Sequence, residues 1–148
     1  MADRRRIVSK RPDEILESVF AGHAQALLNG HENAKRYLSS YLEKSNSLPN
    51  AVKFFIYDLL AEEAYQANDM VLCRNAVGHA SEYLLAARAE NRRHLEEYLP
   101  HLRFIERGIS IMVDNGEFAA AIAFCDRAIE LGLGKAYMAK KATIEKML

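Results

Sequence analysis

From Pro12 onward, apolar residues return every three or four positions, and short polar breaks cut the pattern into segments of helical length. That spacing is the mark of amphipathic helices, each with one apolar face. The first segment carries Ile15, Leu16, Val19, Phe20, Ala24, Leu27 and Leu28 and stops at Asn29-Gly30. The second carries Ala34, Tyr37, Leu38, Tyr41 and Leu42 and fades into a polar stretch closed by Pro49. Asn50 is a candidate cap for the third, whose stripe is Val52, Phe55, Ile56, Leu59, Leu60, Ala64 and Ala67. After Asn68, with Asp69 as the candidate cap, come Val71, Leu72, Ala76, Val77, Ala80, Tyr83, Leu84 and Ala87, with an end or bend at Glu90-Asn91. A short polar helical piece, Arg92 to Leu99, leads to Pro100, and Leu102, Phe104, Ile105, Ile109, Met112 and Val113 form a further main helix up to Asn115-Gly116. The next stripe is Phe118, Ala121, Ile122, Phe124, Cys125, Ala128, Ile129 and Leu131, ended by Gly132 and Gly134. The last helix holds Ala136, Tyr137, Ile144 and Leu148, with Lys135, Lys140, Lys141 and Lys146 on a solvated outer face. No segment alternates apolar and polar residues long enough for a strand. The reading is an all-α chain of about six to seven helices, packed as antiparallel helix–turn–helix pairs because the breaks are short.

Composition narrows what such a chain does. At 148 residues and 50% hydrophobic it has the apolar content for one packed domain over residues 12–148, preceded by a basic tail over residues 1–11. Twenty basic and twenty acidic residues cancel, which argues against a surface dedicated to nucleic acid. The tail's Arg4, Arg5, Arg6, Lys10 and Arg11, and the cluster Arg88, Arg92 and Arg93, are the basic patches available, and no aromatics interleave them. Cys73 and Cys125 lie in no C-x-x-C pair and no zinc spacing, so they read as core thiols in a reducing cytoplasm. His23, His31, His94 and His101 are scattered, and neither a metal nor a cofactor is expected. No apolar run approaches the roughly 20 residues that cross a membrane, and no secretory leader is expected at the N-terminus.

Three breaks are followed by the same ladder. Counting from Asn29, Asn68 and Gly116, a small residue stands at Ala34, Cys73 and Ala121. An apolar residue follows one turn later at Leu38, Val77 and Cys125, and another at Tyr41, Ala80 and Ala128. A helix hairpin needs this order: a tight polar turn, a small residue where the second helix crosses the first, and larger residues one turn on. The ladder resembles the second helix of a tetratricopeptide (TPR) motif, most closely in its last copy. Ala21-Gly22 and Leu60-Ala61 fall where that family places its leucine–glycine or leucine–alanine pair, whereas the third copy has Gly108-Ile109, which implies a different crossing. The likeness covers about residues 14 to 134. Its repeats are unevenly spaced, against a family period of about 34 residues.

The resemblance implies an adaptor that holds a partner protein or peptide, or a second copy of itself, on the surface lined by the first helix of each pair. The groove positions it transfers are Phe55, Asp58, Glu62, Tyr65 and Gln66 from the second repeat and Arg103, Glu106, Ser110 and Asp114 from the third. Phe55 and Tyr65 would supply apolar contact, and Asp58 and Glu62 would select basic or amide groups. The last helix would cap the stack. The lysine–asparagine–arginine clamp that some TPR proteins use on a peptide C-terminus is not reproduced.

One string points to chemistry instead. Arg74-Asn75-Ala76-Val77-Gly78-His79 resembles the R-N-x-x-x-H motif of HEPN domains, small all-α proteins that include metal-independent ribonucleases. The likeness implies Arg74 on a scissile phosphate, His79 as general acid/base and Asn75 as a positioning group. Arg74 and His79 are five residues apart, about 140° around a helix, so they do not share one face closely.

Overall fold

The computed structural model describes residues 12–44 and 47–148. The expected tail, residues 1–11, lies outside the described residues. The chain is all-α. Its helices are α1 (Pro12–Leu27), α2 (His31–Lys44), α3 (Asn50–Gln66), α4 (Met70–Glu90), α5 (Arg92–Tyr98), α6 (Phe104–Asp114), α7 (Phe118–Glu130) and α8 (Ala136–Glu145), with a 3-10 turn, Leu99–His101, after α5. Among the described residues there are thus eight helices, one more than the upper expectation. The difference is α5, expected as a short polar helical piece and not counted among the main helices. It separates from α4 at Asn91, whose φ of −130° and ψ of 41° are not helical and whose side chain is buried at the bend.

The turns explain why the hairpins are tight. Gly30, Asn68 and Gly116 each take a positive φ, of 98°, 61° and 74°. Glycine adopts this conformation freely, and asparagine is the side chain that tolerates it best. Behind Asn68 the amide of Asp69 donates to the Ala64 carbonyl at 2.8 Å, and behind Gly116 the amide of Glu117 donates to Met112 at 2.7 Å. Both bonds close the preceding helix in the same wrapped form and satisfy its last carbonyls. Asp69 then caps α4 at once, its side chain accepting from the Leu72 amide at 3.2 Å, as the sequence predicted. Asn50 does not cap α3. It is the first helical residue, Pro49 precedes it in extended conformation, and among the described residues no side chain caps that end.

The ladder residues are where the helices meet. Ala34, Cys73 and Ala121 are fully buried, and so are Leu38, Cys125, Ala80 and Ala128. Helices pack in chain order: α1 on α2, α2 on α3, α3 on α4, α6 on α7 and α7 on α8. In addition α1 meets α3, α3 meets α6, and α4 meets α6. The helix in the middle is α3. Ala51, Val52, Phe54, Phe55, Ile56, Asp58, Leu60, Ala61, Glu63 and Ala64 are all buried, so its surface is covered on nearly every side rather than along one stripe. Rings set edge to face run outward from it, from Phe20 to Phe55, Phe54, Phe104 and Phe124, with centroids 5.2 to 6.1 Å apart. Val71, which the periodicity assigned to the buried stripe of α4, is instead 85% exposed.

Gly108 marks the unusual crossing in the third pair. A methyl group there would meet the Phe124 ring at 2.6 Å and a Val77 methyl at 2.9 Å. The side chains of α7 and α4 converge on bare α6 backbone, and no larger residue fits without repacking. Gly108→Ala is therefore expected to lower stability by about 1–3 kcal/mol, although alanine is the better helix former. Urea denaturation of the purified variant measures this. An unchanged or raised midpoint would show that the crossing is not this close.

Candidate functional site

Three buried or half-buried carboxylates on α3 determine where the molecule is rigid and where it is open. Asp58 is fully buried. It accepts from the Tyr98 hydroxyl at 2.6 Å, from the Phe104 amide at 2.7 Å, and from the Arg103 amide at 3.0 Å. The start of α6, which lacks a capping side chain of its own, is thus capped from across the core. Burial pushes the Asp58 carboxyl up to about 6, against the donors from Tyr98, Phe104 and Arg103 that favour its charged form. Tyr98 is raised as well, first by burial and then by the neighbouring carboxylate.

Glu62 stands one turn further along the same face of α3. It accepts from Arg107 Nε at 2.7 Å and from an Arg107 terminal nitrogen at 3.0 Å, a two-point ion pair, and from the Gln66 amide at 2.8 Å. Burial works against its charge, but the Arg107 and Gln66 bonds outweigh it and hold the carboxyl below the usual range. The Arg107 guanidinium also lies 4.2 Å over the Tyr65 ring, which fixes that ring at the edge of an open surface. Glu63 is buried at the junction of the first three helices, where His23 Nε2 approaches one oxygen at 2.6 Å and His31 Nδ1 the other at 2.7 Å. Burial raises its carboxyl, and the two histidine bonds more than offset that and lower it. Among the described residues no cluster of histidine, cysteine and acidic side chains has the form of a metal site.

Beyond Tyr65 the surface opens into a groove of about 540 Å³ between α3, α6 and α8. Ile109, Val113, Ile144 and Met147 give it an apolar lining, and Ser110, Asp114, Lys140 and Thr143 add polar groups. The serine and threonine hydroxyls are turned to their own helices, donating to the Glu106 and Ala139 carbonyls at 3.1 Å each. Asp114 and Lys140 are the charged side chains among the lining residues, and both are exposed. The groove thus offers apolar contact along its length and one charge of each sign for orientation.

Of the nine residues expected to touch a partner, Tyr65, Ser110 and Asp114 come together in this groove. Glu62 and Gln66 stand beside it, with the Glu62 carboxylate engaged by Arg107. Arg103 and Glu106 lie nearer the start of α6, outside the lining, with 3.9 Å between their charged groups. Phe55 and Asp58 require correction: both are fully buried and present nothing to a partner. They fall about three and two turns before Tyr65, where α1, α5 and α6 cover the helix. The contribution of α8 was not legible. Lys140, read as part of an outer solvated face, lines the groove, and Lys141 pairs with Asp126 at 2.7 Å.

The other constellation is engaged differently. A terminal nitrogen of Arg74 contacts both oxygens of Glu117, at 2.6 and 2.7 Å. The His79 ring stacks on Tyr57 with centroids 4.6 Å apart and lies nearly parallel to Tyr83, so it is packed against the hairpin of α3 and α4. Asn75 is exposed, and all three line a shallow depression along α4 with Val71, Gly78 and Glu82. Arg88 and Arg92 line a separate cleft of about 340 Å³ with Leu95, Glu96, Leu99, Glu130 and Leu131, where Arg92 pairs with Glu96 at 3.1 Å.

Comparison with family models, with curated proteins and with solved structures finds no match to this chain.

The buried carboxyl of Asp58 makes a specific pH prediction. Its folded value is raised, so the native state binds its proton more tightly than the unfolded chain does. The resulting stabilisation is full below about pH 4 and is lost as pH rises through about 6. Asp58→Asn removes this proton uptake while keeping an acceptor for the Phe104 amide. The stability of the parent relative to that variant should therefore grow on acidification from neutral pH, by up to about 3 kcal/mol. Paired urea titrations at several pH values measure it, and a difference that shrinks on acidification would contradict the assignment.

Proposed function

We propose that the chain is a non-enzymatic adaptor that holds a segment of another protein in the groove of α3, α6 and α8, on a TPR-like stack of helix pairs. The observation that carries this reading is the groove itself, an open apolar channel with Tyr65 fixed at its edge and Asp114 and Lys140 available for orientation. Recognition of this kind draws its affinity from a few apolar anchors and its selectivity from the flanking charges. The packing order supports the repeat reading. The first helices form a row, α1 to α3 to α6, and α2, α4 and α7 each bridge one pair to the next. Helix α8 packs on α7 as a terminal cap would, and its inner side completes the groove. Two unpaired buried thiols, Cys73 and Cys125, suit a reducing cytoplasm, and among the described residues no helix is long and apolar enough to cross a membrane.

The ligand that fits is a peptide with two or more apolar side chains, a basic or amide group near Asp114 and an acidic group near Lys140. Selection from a displayed peptide library on the immobilised protein tests this. Selected peptides should share that pattern and lose about tenfold or more in affinity on Ser110→Arg, which fills the groove, and on Asp114→Arg, which reverses its charge. Peptides that bind the parent and both variants equally well would overturn the proposal.

A further inference from the structure

The inner side of α4 supplies Cys73, Ala76, Val77, Ala80, Leu84 and Ala87 to the core. Its outer side is not the charged face that solvent exposure would lead one to expect. Val71 is 85% exposed and Leu85 is 74% exposed. Each is seven residues from Gly78, so the three lie close to one line along the helix. Gly78 is exposed in the middle of a 21-residue helix, and a methyl group added there would meet nothing within 4 Å. No packing among the described residues accounts for a glycine at that position, which costs about 1 kcal/mol relative to alanine in a helix interior. Arg74 and Glu82 flank it, each four residues away and of opposite sign.

We propose that this face is where two copies of the chain meet, α4 against α4, antiparallel, about a two-fold axis at Gly78. A two-fold contact must be complementary to itself. About that axis Val71 stands opposite Leu85 of the second copy, and Arg74 is level with the second copy's Glu82, within reach across the seam of two long side chains. Each contact occurs twice. The absence of a side chain at Gly78 lets the two backbones approach where the helices cross. A parallel pairing would set Arg74 level with Arg74 and Glu82 level with Glu82, so the order of charges selects the antiparallel one. One terminal nitrogen of Arg74 is engaged by Glu117, which leaves its remaining donors for the second copy. The groove of α3, α6 and α8 contains no residue of α4, so pairing leaves it open on both copies.

One helix face is a small interface, at the weak end of specific association. Sedimentation equilibrium of the full chain, from micromolar to several hundred micromolar, should show a reversible monomer–dimer equilibrium. Gly78→Leu fills the notch and should leave the protein monomeric. Its thermal midpoint should stay equal or rise, because leucine is the better helix former and has open space there; that result separates loss of pairing from loss of folding. Glu82→Arg should weaken association by roughly tenfold, since it sets like charges against Arg74 of the second copy. Mixing that variant with Arg74→Glu should restore association, because each variant then faces its opposite. A chain that stays monomeric throughout, a dimer indifferent to Gly78→Leu, or a mixture that fails to recover would each overturn the proposal.

Discussion

The carboxylate of Asp58 sits in the middle of a helix that is covered on nearly every side, and donors from the far side of the core close around it. Tyr98, the Phe104 amide and the Arg103 amide all converge on it, so one side chain fixes the 3-10 corner after α5 and the start of α6. A helix start needs a partner for its free amides, and Arg103 at the cap position supplies none of its own. The acceptor arrives from 45 residues earlier in the chain. A buried polar group of this kind is costly unless every bond is made, which makes the relative position of α3 and α6 specific. The groove beside Tyr65 depends on that position, because its walls are these two helices and α8.

Neighbouring carboxylates on α3 extend the same principle outward. Glu62 anchors Arg107 on α6, and Arg107 in turn holds the Tyr65 ring. Glu63 gathers His23 and His31 from α1 and α2. In sequence, Asp58 and Glu62 read as groove positions that would select basic or amide groups, and Glu63 was not singled out. In the fold Asp58 and Glu62 both reach α6 and Glu63 reaches α1 and α2, so together they tie these three helices to α3. The proposed binding groove and the proposed pairing face both lie outside this bonded centre, on surfaces where apolar groups remain in water.

Much of the secondary structure was legible because its causes are local. The breaks at Asn29-Gly30, Asn68-Asp69 and Asn115-Gly116 contain residues that accept positive φ, and each became a turn. Asp69 was legible as a cap because its acceptor and the Leu72 amide are three residues apart. The small residues Ala34, Cys73 and Ala121 were legible as crossing points, and all three are buried. The candidate site was only partly legible. Tyr65, Ser110 and Asp114 were found by transferring positions from a repeat pattern, but the same transfer chose Phe55 and Asp58, which are buried. Nothing within a few residues of Phe55 says that α1 and α5 cover it. The role of α8 was hidden for the same reason: its inner side is defined by α3 and α6, not by its own weak periodicity.

The sequence by itself determined an all-α chain, the positions of its turns and the small residues at its crossings. These follow from backbone preferences and apolar spacing, which act over a few residues. Only the tertiary structure decided which polar groups are buried and which apolar groups are exposed. Asp58 and Glu63 went inside because donors tens of residues away come to meet them. Val71, with the apolarity of a core residue, stayed outside because among the described residues no helix covers that side of α4. Burial depends on what stands opposite, and that is fixed by how the helices pack rather than by the residue itself.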